Sequence, residues 1–128
     1  MSAKRLSTFQ IGSPVRPGHG LRIAVTRRPP RGIPRNRWKR DGYFDVWLPT
    51  LAPSAGLIRR YRRGYHESAA VRRAFLDAYE RELQGTEARQ AVALLAELAR
   101  RIRISIGCYC SDESLCHRSR LAKVIRRA

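Results

Sequence analysis

Several kinds of residue and segment are scarce in this 128-residue chain, and each shortage excludes a class of protein. No apolar run approaches the length of a membrane-spanning helix, and the opening residues, MSAKRLSTFQIG, lack the apolar core of a signal peptide. The three cysteines, an odd number confined to residues 108–116, do not form a disulfide framework. We therefore expect a cytoplasmic protein with reduced thiols and no membrane partner.

Acidic residues are also scarce. The chain has 27 Lys and Arg against 10 Asp and Glu, which gives a net charge of +17. Residues 1–63 contain only two acids, Asp41 and Asp45, and carry +13, whereas residues 64–128 carry +4. A field this positive favours polyanionic partners. Arginine outnumbers lysine 24 to 3, as a coding bias would also produce, but such a bias does not explain the shortage of acids.

The hydrophobic content of 43% and the length predict one globular domain over residues 1–128, with a basic, loop-rich part over residues 1–20. Leu21–Thr26 alternates and is rich in β-branched residues, which predicts a strand. The prolines of RRPPRGIPR then exclude both helix and strand. Ser54 suits a helix N-cap, and further helices are predicted from Ser68 to Leu83, from a Thr86 cap onward, and from Leu115 to Arg127.

Two patterns in the second half predict which side chains face the core. In the helix after Thr86, the spacing predicts a buried stripe. In residues 102–110, strict alternation predicts a strand with one apolar face. Strands separated by long helical connections indicate an α/β fold, with a small, mostly parallel sheet flanked by helices in a Rossmann-like three-layer arrangement. The predicted helix stripe is Ala91, Leu94, Leu95 and Leu98, and the strand face is Ile102, Ile104, Ile106, Cys108 and Cys110.

Two predicted loops leave the carboxyl ends of strands. The segment RRPPRG follows the strand that begins at Leu21, and CYCSDESLCHR closes the strand in residues 102–110. Ligands of open α/β sheets bind beyond the carboxyl ends of the strands. If these two strands are parallel neighbours, both loops border one cleft. The side chains expected there are Arg27, Arg28 and Arg31 on one side and Cys108, Cys110, His117 and Arg118 on the other.

The cysteine and histidine residues have two interpretations that need no metal. A nucleophilic cysteine requires a thiolate and partial exposure. Cys116, beside His117 at a predicted helix start, and Cys110, at the end of a strand, both suit this chemistry, and Asp112 is a candidate general base. Alternatively, the cysteines are small buried side chains that fill the junction between strand and helix. Whether the protein is an enzyme stays open.

A zinc site formed by Cys108, Cys110, Cys116 and His117 is a weaker alternative. Zinc needs three or four ligands that converge at about 2.0–2.3 Å. The spacing Cys-x-Cys-x5-Cys-His matches none of the common zinc motifs. Adjacent side chains on a helix also diverge by about 100°, which places Cys116 and His117 poorly for one ion. We therefore expect no cofactor.

A phosphate group is the ligand that this cleft suits best. A helix N-terminus offers unpaired N–H groups and the positive end of the helix dipole. His117, Arg118 and Arg120 add charge there, and bidentate contacts from Arg27, Arg28 or Arg31 would complete the site. Our leading hypothesis is an α/β domain that binds a phosphate-bearing small molecule or nucleic acid, with nucleotide-directed or nucleic-acid-directed catalysis left open.

The alternative is a non-catalytic, basic nucleic-acid-binding accessory module. Trp38, Tyr43 and Tyr61 are interleaved with arginines, as base-stacking residues often are. The affinity of such a module would fall steeply with salt. The charges that would then matter most are those of Arg35, Arg37, Lys39 and Arg40.

Three segments, in order along nearly the whole chain, resemble the YeaO-like proteins, domain-of-unknown-function family 488. VTRRPPRG resembles a strand followed by the Arg-x-x-Pro-Arg-Gly turn of that family. DVWLPTLAPS resembles its Asp-x-Trp-Leu-x-x-Leu-Ala-Pro-Ser segment, and CYCSDESLCHRSRLAKVI resembles its terminal Cys-Tyr-Cys-x-Asp-x-x-x-Cys-His-Arg element. The resemblance implies an α/β single domain of mostly bacterial distribution, with no established reaction.

The resemblance also implies which positions matter. Pro29 departs from the family, in which an aromatic residue often precedes Pro-Arg-Gly, and this would alter one wall of the pocket. Asp45 is expected to touch the ligand or to orient Arg28 or Arg31. Trp47 is expected either to stack on a base or to pack in the core. The family positions are Arg28, Pro30, Arg31, Gly32, Asp45, Trp47, Leu51, Ala52, Pro53, Ser54, Cys108, Cys110, Asp112, Cys116, His117 and Arg118.

Overall fold

A four-stranded parallel sheet forms the centre of the computed structural model, which describes residues 5–128. The strand order is β1-β4-β2-β3, and each neighbouring pair is parallel. The predicted parallel α/β fold is therefore confirmed, and the strands that precede the two motif loops, β2 and β4, are neighbours. The strands are β1 (Leu6–Gln10), β2 (Leu21–Ala24), β3 (Val46–Trp47) and β4 (Ile104–Cys108).

Four helices connect and follow the strands, and two of them begin at serine caps. The Ser54 hydroxyl accepts a hydrogen bond from the Leu57 N–H, and the Ser68 hydroxyl accepts one from the Val71 N–H. Each cap satisfies one of the unpaired N–H groups at a helix start. The helices are α1 (Ala55–Tyr61), α2 (Ala69–Glu82), α3 (Thr86–Arg101) and α4 (His117–Arg127).

The two faces of the sheet are covered differently. One face contributes Ile23, Val25, Ile104 and Ile106 to a large core that includes apolar residues of all four helices. The opposite face is covered by an irregular aromatic segment between β2 and β3. The helices, the sheet and this segment make three layers. The smaller core consists of Phe9, Ile11, Ala24 and Phe44, with Trp38, Tyr43 and Trp47 packed against it.

Several predicted boundaries and burial assignments are wrong. The predicted loop-rich part over residues 1–20 contains strand β1 from Leu6, while residues 1–4 of that part lie outside the described residues. In α3 the buried residues are Ala88, Val92, Leu95, Ala96 and Ala99, so the core stripe is rotated away from Leu94, which is 61% exposed. Ile102 caps α3 and is exposed instead of extending the strand.

Two substitutions in α3 test the corrected stripe. Leu95 is 3% exposed, so Leu95→Ala should lower the free energy of unfolding by about 2–5 kcal/mol through lost burial and a residual cavity. Leu94→Ala removes the same atoms from an exposed position and should change stability by less than about 0.5 kcal/mol. Urea denaturation measures both, and equal losses would contradict the described orientation of α3.

No helix in the part of the chain from residue 5 onward combines the length and apolar character needed to cross a bilayer.

Candidate functional site

A cavity of about 510 Å³ opens at the carboxyl ends of β2 and β4. Residues that follow β2 form one wall, α1 and the segment after it form a second, and the end of β4 with the start of α4 forms the floor. The sheet topology explains this convergence, because the carboxyl ends of parallel neighbours meet at one edge. The lining residues are Thr26, Arg27, Arg28, Pro53, Ala55, Ile58, Arg59, Tyr61, Arg62, Tyr65, His66, Phe75, Cys108, Tyr109, Cys110 and His117.

The arginines that line the cavity have two different roles. The Arg27 guanidinium donates to the carbonyls of Pro53 (3.1 Å), Pro49 (3.1 Å) and Ala52 (3.2 Å), so it fixes the chain that enters α1. The guanidinium groups of the other three make no ion pair or hydrogen bond within residues 5–128. These three, the free arginines, are Arg28, Arg59 and Arg62.

The backbone of Arg28 is held in place from two sides. Its carbonyl accepts hydrogen bonds from the hydroxyls of Thr26 (2.8 Å) and Tyr109 (3.3 Å). Thr26 follows β2 and Tyr109 follows β4, so these bonds tie the two motif loops together. The Arg28 side chain therefore extends from a fixed backbone at the cavity wall.

Aromatic rings also line the cavity. Phe75 meets Tyr61 and Tyr65 edge-to-face, with ring centroids 6.0 and 5.1 Å apart. The Tyr65 hydroxyl donates to the Leu115 carbonyl, and burial raises the pKa of Tyr65 to about 12, so this hydroxyl stays protonated near neutral pH. These contacts give the cavity rigid apolar walls.

Cys108 and Cys110 line the floor of the cavity, and Cys116 lies against them outside the lining. The sulfur atoms of Cys108, Cys110 and Cys116 lie within 4.8 Å of one another. Cys108 ends β4, Cys110 follows it at intermediate burial, and Cys116 is fully buried at the N-cap of α4. Three thiols this close together could hold a metal ion.

His117 lies against this cluster and is itself buried. Its Nε2 is 2.8 Å from the Val25 carbonyl, which can only accept, so Nε2 carries the proton. Burial lowers the pKa of His117, so the ring is neutral near pH 7 and its Nδ1 has a free lone pair. That nitrogen lies 3.9 Å from the Cys108 sulfur and 3.7 Å from the Cys116 sulfur.

The three thiols differ in acidity. Contacts with the thiols of Cys108 and Cys116 lower the pKa of Cys110 well below its usual range, and the positive charge of Arg118 acts in the same direction. The same contacts, with burial, raise the pKa of Cys116 and of Cys108. Cys110, which lines the cavity, is therefore the most acidic of the three thiols, whereas Cys116 is fully buried.

Several residues predicted to bind the ligand make contacts within the fold. Arg118 is 3% exposed, lies outside the cavity lining, and donates to the Cys110 carbonyl at 2.8 Å. Cys116 and His117 are also buried, although His117 lines the cavity. Asp112, the candidate general base, is exposed and caps the turn after it by accepting from the N–H and hydroxyl of Ser114.

Three further predicted positions, Arg31, Gly32 and Ser54, are not among the lining residues. Arg31 is exposed to solvent. Gly32, the next residue in the same turn, adopts a φ of +77°. Ser54, besides capping α1, donates from its N–H and hydroxyl to the Glu82 carboxylate. Glycine at position 32 is therefore explained by backbone geometry and serine at position 54 by helix capping.

Asp45 and Trp47 stabilise the edge of the sheet. The Asp45 carboxylate accepts from the Arg22 N–H at 2.8 Å rather than pairing with Arg28 or Arg31. The Trp47 indole donates to the Thr26 carbonyl at 2.9 Å and packs against the smaller core. The core interpretation of Trp47 therefore describes its contacts in this structure.

Sequence reasoning missed most of one wall of the cavity. Arg59, Arg62, Tyr65 and His66 come from α1 and the segment after it, where the sequence shows only a basic, aromatic run. The one available signal was the three-residue spacing of Arg59 and Arg62, which places them on one side of a helix.

The fold and site together define a small parallel α/β protein with a cysteine-floored, arginine-lined cavity. The chain matches the DUF488-N3a family model, described as "Active DUF488-N3 subclade", over residues 6–128. It therefore belongs to that family, within the YeaO-like DUF488 group, as the sequence motifs predict. Neither the curated proteins nor the solved structures include a match to the chain.

Proposed function

We propose that the cavity binds a phosphate-bearing small molecule of the nucleotide type. The observation that carries this proposal is the composition of the lining, in which three free arginines border aromatic walls. Among residues 5–128 no carboxylate lines the cavity, so nothing there neutralises these arginines. A guanidinium group is well suited to hold a phosphate because its fork of N–H donors matches the phosphate oxygens.

The size of the cavity supports a small ligand over a polymer. A volume of about 510 Å³ falls in the range of small-molecule sites, which is about 300–1,000 Å³. Rings of Tyr61, Tyr65 and Phe75 offer apolar surface for a nucleobase or another planar group. The ligand's anionic part would contact the free arginines, and its ring would lie deeper.

A cytoplasmic location is part of the proposal, because nucleotides are abundant there and thiols stay reduced. Cys110 lines the cavity and is the most acidic thiol of its cluster, so a reaction at the ligand would start from this residue when the cluster holds no metal. The description of the subclade as active is compatible with turnover but names no reaction.

The nucleic-acid module has less support in the contacts of its basic segment. Arg37 and Arg40 pair with Asp41, and the Trp38 indole donates to the Ile33 carbonyl while packing on the smaller core. Trp38 is therefore held by the fold rather than presented as a stacking surface.

A matched pair of double variants tests the proposed ligand site. Arg59→Ala/Arg62→Ala removes two lining arginines, and Arg60→Ala/Arg63→Ala removes two neighbouring arginines outside the lining. Both variants lose the same charge. Since a charge-assisted hydrogen bond contributes about 1.5–3 kcal/mol, the first should weaken binding by about 100-fold or more, and the second by less than about twofold at physiological salt.

Calorimetric titration with AMP, GMP, CMP, UMP and inorganic phosphate measures these affinities, and thermal shifts check that the variants fold. Equal losses in the two double variants would contradict the proposal, as would no binding of any mononucleotide to the unmodified chain. Binding only to DNA or RNA, with steep loss in high salt, would favour the nucleic-acid module instead.

A further inference from the structure

Three sulfur atoms and one ring nitrogen of the chain's last motif lie beside the cavity. The sulfur atoms of the three cysteines lie within 4.8 Å of one another. The free Nδ1 of His117 lies outside that group of three but is 3.9 Å from the Cys108 sulfur and 3.7 Å from the Cys116 sulfur. In tetrahedral zinc sites with bonds of about 2.0–2.3 Å, neighbouring sulfur atoms are about 3.8 Å apart and sulfur and nitrogen about 3.5 Å. The histidine distances are already within 0.4 Å of that arrangement.

The backbone explains why adjacent residues can share one ion here. Cys116 is the N-cap of α4 and has extended dihedral angles (φ −111°, ψ 147°), whereas His117 is the first helical residue. The expected divergence of about 100° applies only when both residues are helical. The objection that the sequence raises against a shared metal therefore does not hold in this structure.

The surroundings of His117 match those of a metal-bound imidazole. Its Nε2–H donates to the Val25 carbonyl, which fixes both the tautomer and the direction of Nδ1. Such a backbone partner on the far nitrogen is the usual support of a ligating histidine. The Tyr79 ring meets the imidazole edge-to-face at 5.2 Å and limits its rotation.

A buried positive charge accompanies the cluster. Three thiolates and one Zn²⁺ carry a net charge of −1, which needs compensation in a buried position. Arg118 is 3% exposed, donates to the Cys110 carbonyl, and its Nε has no partner within residues 5–128. A buried guanidinium without a carboxylate partner is costly unless a negative group lies nearby, and a thiolate-bound metal would be that group.

We propose that Cys108, Cys110, Cys116 and His117 bind one zinc ion through three thiolates and the Nδ1 nitrogen. Binding releases the thiol protons to solvent and draws the sulfur atoms together. Because all four ligands come from the protein, the site is a structural one that joins the end of β4 to the start of α4. This proposal does not depend on the cavity's ligand.

Metal binding to the purified, reduced full chain tests the site. We expect elemental analysis to find one zinc per chain. Co²⁺ should replace it, with intense visible bands of a tetrahedral complex and an ultraviolet band from thiolate-to-cobalt charge transfer. The affinity follows from competition with a chromophoric chelator. These readouts use the metal alone, so a failure of nucleotide binding would leave them unaffected.

Variants distinguish the four ligands from their neighbours. Cys110→Ser and His117→Ala should each weaken zinc binding by more than about 100-fold, because loss of a direct ligand exceeds the 10–100-fold effect of outer-shell changes. His66→Ala, which removes a histidine that lines the same cavity outside the cluster, should retain one zinc. Circular dichroism checks that each variant is folded, and Cys110 is the least buried of the three thiols.

Three results would overturn the proposal. The first is that the reduced chain binds neither Zn²⁺ nor Co²⁺. The second is a cobalt spectrum without thiolate charge transfer, which would place the ion elsewhere. The third is unchanged affinity in both Cys110→Ser and His117→Ala. A chain that takes no metal but forms a disulfide in air would assign the cluster to redox chemistry.

Discussion

Replacing Gly107 with alanine is expected to lower the free energy of unfolding by about 3 kcal/mol or more. Gly107 lies in β4, the strand between β1 and β2 in the middle of the sheet. An added Cβ would lie 2.3–2.6 Å from three atoms of the Phe9 ring, far inside van der Waals contact. Forcing extra volume into a packed core strains both the side chain and the backbone.

Phe9 has little room to move away from such a Cβ. Its ring is 4% exposed, the Arg22 guanidinium lies 4.1 Å from its centroid, and the His19 ring is 5.6 Å away. The backbone of β4 is also held by ladder hydrogen bonds on both sides. Both routes of relaxation are therefore obstructed, which is why the expected loss is large.

Urea denaturation measures the effect, and Gly56→Ala is the control. A Cβ at Gly56, in α1, meets nothing within 4 Å, so this change should leave stability unchanged or raise it by up to about 1 kcal/mol. Adding Phe9→Leu to Gly107→Ala should recover part of the loss by removing the clashing ring atoms. A Gly107→Ala loss below about 1 kcal/mol would show that Phe9 does not pack on β4 as described.

Replacing Arg27 with methionine is expected to lower the free energy of unfolding by about 2–4 kcal/mol. The Arg27 guanidinium donates to three backbone carbonyls between Pro49 and Pro53, and methionine keeps the apolar stem but no donor. Hydrogen bonds from a charged group contribute about 1.5–3 kcal/mol each, but water can replace part of them at this half-buried position. Arg27→Lys should retain less than half of the stability that Arg27→Met loses, because an ammonium group lacks the planar set of N–H donors of a guanidinium group.

The matched control is Arg28→Met, in the adjacent position. The Arg28 guanidinium has no partner within residues 5–128, so its loss should change stability by less than about 0.5 kcal/mol. Hydrogen exchange should show faster opening of α1 amides in Arg27→Met only, since the three carbonyls precede that helix. Similar stability in the two variants would mean that Arg27 does not anchor this segment.

The parallel α/β class was predictable because its signal is local, whereas the strand order was not. Leu21–Thr26 and residues 102–110 alternate strongly, and the long connections between them indicate parallel pairing. Strand β1 was missed because Leu6 and Phe9 point to opposite faces, so LSTFQ shows no alternating stripe.

The roles of the charged residues were less predictable, because they depend on contacts between distant positions. The guanidinium groups of Arg118 and Arg27 both donate hydrogen bonds to backbone carbonyls. Only the folded chain shows which carbonyls those are. The extended backbone of Cys116 is likewise set by the turn before α4, not by its own identity. A sequence pattern therefore located the site but did not distinguish the residues that line it from those that support it.

The position of β4 has a consequence for the order of folding. Leu6 pairs with Ile104, and Leu21 pairs with the same residue on the other side, so neither pairing can form until β4 has left the ribosome. Such distant pairings close large loops and slow folding. Until then β1 and β2 lack their central neighbour, so the nascent chain exposes unpaired strand edges and apolar surface of the kind that promotes aggregation.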